Sequence, residues 1–513
     1  MSLFWLANAD PASAWAHKAW SELASRHDRE NTMVILPVHG FADHGMGLPL
    51  DAEEIVGSAV LRSAVEALDV TAPVLVLPPL RLVPAPYPHT GFGVDVETCL
   101  ASLLEIAASV KASGFGKLVL FNTSPWSAEL LSTAALEIRV THDLKTYLIA
   151  SGGIGIGFHP SFEKLNHTQA AAAFLLGKSP VTDCVPSDVR DSDFRPGHYA
   201  QPHAVEFDST LDGARLITRS AKHLAGLLCE IAAHRAPPKT RPPFAKSVKP
   251  ATPAVWPANR TRYLGALTQT ALNNLPDKHR ALVIVATGAI EQHGHHLPLG
   301  TDAIIGQLWL SHALPKLPAD APVYLAPPIT YGKSIEHTGF AGTVTISAQT
   351  LRRQLLAIAT QLKALGFRQL AILNTHGGNS AITITTVREI QSSLGMRAGL
   401  LSRYYTPSHQ NSQEAAFGFH ADEWETSLML AGAPDLVHMD RAVCEYPAHL
   451  TDPGLLRPEA APAVFAWKTN DLSQSGVMGD ATLATADKGL LWLEESSTAL
   501  ARKIESLLAA PPA

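Results

Sequence analysis

Apolar residues follow two periodicities along the chain, and together they predict alternating strands and helices. The runs TMVILPVHG at 32–40 and ALVIVATG at 281–288 are apolar, rich in β-branched residues and end in turn residues, as buried strands do. The segments ETCLASLLEIAASVKASGFG and QTLRRQLLAIATQLKALGFR carry apolar residues at spacings of three and four, which is typical of amphipathic helices closed by glycine. Strands that alternate with helices predict an α/β fold with mainly parallel sheets.

The same series of landmarks occurs twice. Each first strand is followed by a related loop, DHGMGLPLDAEEI or QHGHHLPLGTDAI, so that His44 aligns with His293. Further landmarks follow in one order in both halves: the runs PVLVLPP and PVYLAPP, the tetrapeptide HTGF, a strand that ends in asparagine, and the tripeptide GFH. The sequence therefore predicts a tandem duplication of one layered α/β domain.

Proline marks the boundary between the two copies. The segment APPKTRPPFAKSVKPATPAVWP cannot hold a regular helix or a central strand, because proline removes backbone donors and fixes φ. We predict a first domain at 1–235, a Pro-rich linker at 236–261 and a second domain at 262–513. Two domains also suit a chain of 513 residues.

Charge and composition argue against several classes of binding partner. The formal net charge is −6 and the basic residues are scattered, so we expect no nucleic-acid partner. No stretch of about 18 uncharged apolar residues and no leader pattern occurs, and we expect a soluble, cytoplasmic protein with no membrane partner. The four cysteines form no close pair, which argues against a disulfide framework and a thiolate zinc site.

Candidate metal ligands cluster in the second half. In GAIEQHGHHLPLGTD, Glu291 and His293 leave a strand two positions apart, and Asp302 follows an apolar turn. His376 leaves the next strand in NTHGGN, whose glycines allow close backbone approach. Because ligands gather at the carboxyl edge of parallel sheets, these four side chains predict a divalent metal site.

The segment GFHADEWETS supplies two further candidates. Glu425 lies five residues after His420, about one and a half helical turns if the segment is helical. On that spacing, one side chain faces the metal and the other flanks the substrate. Asp422 between them adds a carboxylate that could favour a cationic substrate.

These blocks, with PPITYGKSIEHTGFAGT and GVMGDATLATADKG, resemble the successive signature segments of the creatininase (creatinine amidohydrolase) family. The resemblance implies two creatininase-like domains and a site of two divalent ions per chain, either zinc, manganese or iron, with one bridging carboxylate. It implies that Asp302 is the bridge, that Glu425 replaces the acidic ligand of the H-Y-E triplet that creatininases carry where this chain has HGGN, and that His420 is the catalytic histidine. The full implied metal set is Glu291, His293, Asp302, His376 and Glu425.

The expected activity is hydrolysis of a C–N bond in a small cyclic or linear amide, with His420 and Glu425 as catalytic residues. Two ions about 3.5–4 Å apart would hold a bridging hydroxide that attacks the amide carbonyl. Creatinine itself is disfavoured, because HGGN stands where creatininases carry an H-Y-E triplet. We expect a small-molecule amide partner and a homo-oligomer.

Four side chains are candidates for contact with substrate, and each has a structural alternative. His296 could instead support a ligand, Ser334 and His337 could stabilise a turn, and Trp424 could belong to the core. Two other functions remain open: a two-metal phosphoesterase, and a non-catalytic metal-binding or scaffold protein.

The first half lacks most of the ligands. Ala42 stands where Glu291 stands, Glu53 where Asp302 stands and Ser124 where His376 stands. One imidazole and one carboxylate are too few to hold a divalent ion, so we predict a catalytically inactive copy that packs as a permanent partner.

Overall fold

The computed structural model describes residues 6, 11–42, 44, 48–68, 72–84, 92–158, 165–177, 213–233, 259–401, 405–447, 456–457, 463–464 and 466–509. Several features named above lie outside these ranges: Cys184, residues 89–91 of the first HTGF, His159 of the first GFH, and residues 236–258 of the predicted linker. No helix in the described part of the chain is both long and apolar enough to cross a membrane.

Each half contains a four-stranded sheet in which every pairing is parallel. The first sheet has the order β2-β1-β3-β4 and consists of β1 (Met33–Val38), β2 (Val74–Val76), β3 (Lys117–Asn122) and β4 (Lys145–Ala150). The second has the order β6-β5-β7-β8 and consists of β5 (Leu282–Thr287), β6 (Val323–Leu325), β7 (Gln369–Asn374) and β8 (Arg397–Leu400). The identical strand order confirms the predicted α/β class and the duplication.

The described residues also form two separate two-stranded sheets. They pair β9 (Cys444–Glu445) antiparallel with β12 (Gly479–Asp480), and β10 (Leu456–Arg457) parallel with β11 (Ala463–Val464). The helices of the first half are α1 (Trp20–Ala24), α2 (Ala52–Glu66), α3 (Val96–Ala112), α4 (Ala128–His142), α5 (Leu165–Leu175) and α6 (Gly213–Ala233). Those of the second half are α7 (Gln269–Asn273), α8 (Thr301–Ala313), α9 (Ala348–Ala364), α10 (Ser380–Leu394), α11 (Ser412–Phe417), α12 (Glu423–Gly432), α13 (Thr469–Leu472) and α14 (Ala486–Ala509).

The amphipathic pair α3 and α9 begins and ends as the sequence predicts. The side chains of Asp95 and Ser347 accept a hydrogen bond from the third residue of their helices, which satisfies an otherwise unpaired backbone N–H. Beyond each C-terminus a glycine takes a left-handed conformation, with φ of +86° at Gly114 and +99° at Gly366. Both helices pack on each other across the boundary between the halves, where Gln354 Nε2 donates to Ser102 Oγ at 3.0 Å.

The two halves exchange their leading segments in a reciprocal way. The segment before α1 pairs with the loop that precedes α8, and the segment before α7 pairs with the equivalent loop that precedes α2. Four backbone hydrogen bonds make this exchange: Leu299 N to Lys18 O at 2.7 Å, Gly300 N to Ala16 O at 2.8 Å, Leu50 N to Leu267 O at 3.0 Å, and Asp51 N to Gly265 O at 3.0 Å. One hydrophobic core cluster runs through residues of both halves, so the halves form a pseudo-symmetric pair within one chain.

Helix α14 lies against α12, which carries part of the candidate site, and a glycine sets how closely they approach. A Cβ at Gly489 would overlap the backbone oxygen of Ser427. We expect Gly489→Ala to destabilise the protein by about 1–3 kcal/mol, because the rigid backbone of α12 must shift. Urea unfolding would measure this. Gly153→Ala is the matched control, since nothing lies within 4 Å of a Cβ there; equal stability of the two variants would contradict the prediction.

Candidate metal centre

Five buried side chains converge at the carboxyl end of β5 and β7. Glu291 and His293 lie on the segment that leaves β5, and His376 lies two residues after β7. Asp302 is the second residue of α8, and Glu425 is the third residue of α12. The fold thus brings together all five predicted ligands at one edge of the second sheet.

The ligand atoms of the described residues form three groups able to hold a metal ion, two of which share Asp302, while the third combines Glu291, His293 and His420. The two groups that share Asp302 contain all five predicted ligands. In the first, His376 Nδ1 lies 3.2 Å from Glu291 Oε1 and 3.3 Å from Asp302 Oδ2. In the second, His293 Nε2 lies 3.6 Å from Asp302 Oδ1 and 3.7 Å from Glu425 Oε2. Within each group the atoms lie within 4.8 Å of one another. Asp302 presents one carboxylate oxygen to each group, which is the arrangement that a bridging ligand requires.

The oxygen and nitrogen atoms of this cluster are suited to binding divalent metal ions. Glu291 Oε1 and Oε2, His293 Nε2 and Asp302 Oδ2 are buried and have no hydrogen-bond partner among the described residues. Three buried carboxylates in one cluster are costly unless positive charge compensates them. Two divalent ions, with four positive charges, would more than compensate the three carboxylates and would satisfy these atoms.

The two imidazoles are oriented for coordination through their second nitrogen. Nδ1 of His293 lies 3.2 Å from the backbone oxygen of Glu291, and Nε2 of His376 lies 3.0 Å from the backbone oxygen of Lys333. A carbonyl oxygen can only accept, so each of these nitrogens carries the proton. The remaining nitrogen then offers its lone pair to the centre, as is usual for metal-bound histidine.

The electrostatics of the cluster favour bound positive charge. Burial raises the pKa of Glu291 to about 7, against the opposing effect of His376. Burial alone would lower the pKa of His293, but the Asp302 and Glu425 carboxylates outweigh it and raise the pKa to about 10. Protons thus bind tightly where the geometry would otherwise place metal ions.

A second layer of imidazoles lies beside the cluster. His420 Nε2 lies 2.9 Å from the backbone oxygen of Gln292, which leaves Nδ1 facing Glu291 Oε1 at 3.8 Å. The ring stacks on that of His337, with centroids 4.3 Å apart. Burial holds the pKa of both histidines well below the usual range, so both are neutral at neutral pH. A neutral imidazole can take up a proton.

Sequence reasoning missed Gln292, which organises these two imidazoles. Its Nε2 lies 2.9 Å from His337 Nδ1, 2.9 Å from His420 Nε2 and 3.1 Å from the backbone oxygen of Gly476. Its Oε1 accepts from the backbone N–H of Gly294 at 3.0 Å. The only signal for it in the sequence is its position between Glu291 and His293.

The predicted substrate-side residues have different surroundings. His337 lies in the site, 3.4 Å from Glu291 Oε1. Ser334 Oγ lies 3.2 Å from His376 Nε2, so it supports a candidate ligand. His296 Nε2 lies 2.8 Å from Thr426 Oγ1 and ties the loop to α12. Trp424 is buried and packs against Trp309 of α8, with centroids 5.6 Å apart, which favours the core interpretation over a substrate wall.

The helical spacing of His420 and Glu425 was wrong. Helix α12 begins only at Glu423, and Ala421 breaks the segment with a φ of +51°. His420 instead forms an isolated antiparallel bridge with Met478. Asp422 is the N-cap of α12, where its Oδ1 accepts from Trp424 N and Glu425 N. This oxygen caps the helix and the residue is fully buried, so Asp422 gives no support to the expectation of a cationic substrate.

In the first half a hydrogen-bonded histidine–glutamate pair occupies the equivalent place. Glu53, the second residue of α2, accepts from Gly40 N at 2.6 Å and lies 3.0 Å from His44 Nε2. Asn122 Nδ2 donates to Ser124 O at 2.8 Å, just as Asn374 Nδ2 donates to His376 O at 2.7 Å, but serine offers no imidazole. Among the described residues, the groups able to hold a metal ion all lie in the second half.

These features define a duplicated α/β protein with one buried carboxylate–imidazole centre. The family model described as creatinine amidohydrolase matches residues 16–208 and 265–504. The chain therefore belongs to the creatininase family, with one copy of the family domain in each half, as the resemblance implied.

Relatives with different named activities match about half of the chain. The mycofactocin precursor peptide peptidase of Mycolicibacterium smegmatis is 32% identical over 228 residues, which are 44% of this chain and 83% of the relative. The 3-dehydro-scyllo-inosose hydrolase of Thermotoga maritima is 28% identical, covering 44% and 76%. The creatinine amidohydrolase of Pseudomonas putida is 27% identical, covering 46% and 93%. A crystal structure of creatinine amidohydrolase matches 49% of this chain and 99% of its own, with 23% identity and a TM-score of 0.40.

Proposed function

We propose that this chain is a metal-dependent amidohydrolase that cleaves a C–N bond in a small cyclic or linear amide. The observation that carries the proposal is the buried cluster of three carboxylates and two imidazoles, four of whose ligand atoms have no hydrogen-bond partner among the described residues. When bound, two divalent ions lower the pKa of water and polarise a carbonyl group. Zinc, manganese and iron are the candidates.

The protein contributes the position of each ligand. Glu291, Asp302 and His376 would hold one ion, and His293, Asp302 and Glu425 the other. Lys333 O and Glu291 O accept from one nitrogen of each histidine, so that the other nitrogen already faces the centre, where a metal ion would take the place of its proton. Little reorganisation is then needed on binding.

His420 is the proposed catalytic residue. Its Nδ1 faces the carboxylate cluster at the distance given above, and its Nε2–H is held by Gln292 O. Being neutral, the imidazole can accept a proton from the attacking water and pass it to the leaving nitrogen, a contribution typically worth about 10²–10⁴-fold. His337 stacks on this ring and lies beside Glu291, where it can contact the substrate.

The proposed substrate is a small amide, and creatinine is only one of the amides to be tested. The relatives that match this chain include one named as a peptidase and one named as a creatinine amidohydrolase. Gly377 and Gly378 stand where the H-Y-E triplet of creatininases has its bulky and acidic residues, so this side of the site has a different shape and charge. We therefore propose a screen of creatinine, N-formyl amides and short unblocked peptides.

Elemental analysis of the purified full-length chain tests the metal centre. We expect about two divalent ions per chain, and a loss of metal and of amide hydrolysis in His376→Ala, because His376 is one of only three ligands in its group. His44→Ala, at the aligned position of the first half, is the control and should leave both nearly unchanged. About four ions per chain would mean that the first half also binds metal. No ion after careful reconstitution, or full activity without His376, would contradict the proposal.

A further inference from the structure

We propose that the first half, which we predict to be catalytically inactive, is a working part of the active site, because Trp20 of α1 positions the Gln292 side chain that holds His337, on which the His420 ring stacks. This inference rests on the proposed function for its catalytic consequence. It concerns a positioning residue, since Trp20 acts through a loop of the second half. That loop comprises residues 473–476 and is called the 473–476 loop below.

Trp20 connects the first half to this loop directly. Its indole Nε1–H donates to the backbone oxygen of Ser475 at 3.2 Å. The ring lies against His295 and Phe340, with centroids 4.8 Å away in both cases. His295 lies two residues after the proposed ligand His293, and Phe340 lies three residues after the site residue His337. The first half therefore touches the second where the site is built.

The next residue in the loop carries the connection into the site. Gly476 O accepts from Gln292 Nε2 at 3.1 Å, and the same amide nitrogen lies 2.9 Å from His337 Nδ1. The backbone oxygen of Gln292 accepts from His420 Nε2 at 2.9 Å. Gly476 has a φ of +88°, and a Cβ there would overlap Gln292 Oε1. The backbone at 476 thus lies directly against the amide, and a shift of the loop would move it.

A second anchor holds the other side of the loop. Glu445 accepts hydrogen bonds from the backbone N–H groups of Gln474 at 2.8 Å and Ser475 at 2.9 Å, and from Ser473 Oγ at 2.9 Å. This anchor belongs to the second half and fixes the N–H groups of the loop. Trp20 binds the Ser475 carbonyl oxygen, so each half of the chain anchors one side of the loop.

The decisive variant is Trp20→Phe, which keeps an aromatic ring against His295 and Phe340 but removes the N–H donor. Gln354→Met is the matched control, because it also removes a hydrogen bond between the halves, to Ser102, but has no connection to Gln292. Both proteins are compared as full-length, metal-loaded chains for metal content, for steady-state kinetics with the amide that the wild type hydrolyses best in the screen above, and for hydrogen exchange.

We expect Trp20→Phe to lower kcat about 3- to 10-fold, as loss of one hydrogen bond implies, while KM stays within about twofold and metal content is unchanged. Peptides covering 473–477 should exchange faster than in Gln354→Met by a similar factor. Identical kcat and exchange in the two variants would overturn the inference. Faster exchange in Trp20→Phe alone, in a protein that hydrolyses no amide, would support the positioning while refuting the proposed function.

Discussion

Replacement of Asp302 by asparagine is expected to abolish metal binding and lower amide hydrolysis by at least about 10³-fold. One proposed ion lies in the group of Glu291, Asp302 and His376, and the other in the group of His293, Asp302 and Glu425. Asp302 is the side chain that these two groups share. An amide offers one neutral oxygen where two anionic oxygens faced the two groups. A Lewis acid is worth several kcal/mol, and about 1.4 kcal/mol corresponds to a tenfold change in rate, which gives the expected magnitude.

The first half provides a matched control for this change. Glu53 occupies the position of Asp302 in the first half, and it too is a buried carboxylate at the second residue of its helix. Glu53→Gln removes one negative charge in the same local setting and should leave metal content and activity unchanged. Metal content and rates would be measured side by side. Equal losses in the two variants would show that the effect is one of folding, and full metal content in Asp302→Asn would contradict the bridging role.

The fold could be predicted because buried parallel strands leave a strong signature. β1 and β5 are fully buried six-residue strands. The register of β1 with β3 begins at Met33 and Lys117, and the register of β5 with β7 begins equivalently at Leu282 and Gln369. Such strands have apolar residues at nearly every position, which the sequence displays directly. Repetition of the pattern then predicts the duplication.

The exchange of leading segments could not be predicted in the same way. It consists of backbone hydrogen bonds between a short extended segment and a loop, and these depend little on side-chain identity. SAWAHKAWSE and TRYLGALTQT, the two segments, share almost no residues. Long-range pairing of this kind has no periodicity that a single sequence reveals.

Within the site, sequence reasoning was best for residues whose type is diagnostic. Carboxylates and histidines at strand ends stand out, so the five candidate ligands could be named, and all five converge. Glutamine is a common surface residue, and nothing in its type distinguishes Gln292 from an exposed side chain. The helical spacing between His420 and Glu425 assumed that the whole segment is helical, whereas Asp422 caps a helix that begins only at Glu423.

Replacement of Glu425 by glutamine is expected to halve the metal content, from about two ions per chain to about one. Glu425 belongs only to the group with His293 and Asp302, so the group formed by Glu291, Asp302 and His376 stays complete. Amide hydrolysis should fall about 10²–10³-fold, because one ion alone cannot clamp both the nucleophile and the carbonyl oxygen. Elemental analysis and initial rates would measure the two effects.

The control lies two residues away, about half a helical turn, on the opposite side of the same helix. Glu423 is also buried in α12, but its carboxylate pairs with Lys488 outside the cluster. Glu423→Gln should therefore keep about two ions and most of the activity. A carboxylate returned by Gly378→Glu should not rescue Glu425→Gln, because even a Cβ at 378 would overlap Glu336 Oε1. Two ions retained in Glu425→Gln would remove Glu425 from the centre. Rescue by Gly378→Glu would contradict the steric argument, because a Cβ at 378 also overlaps His376 Nε2 and the backbone oxygen of Lys333.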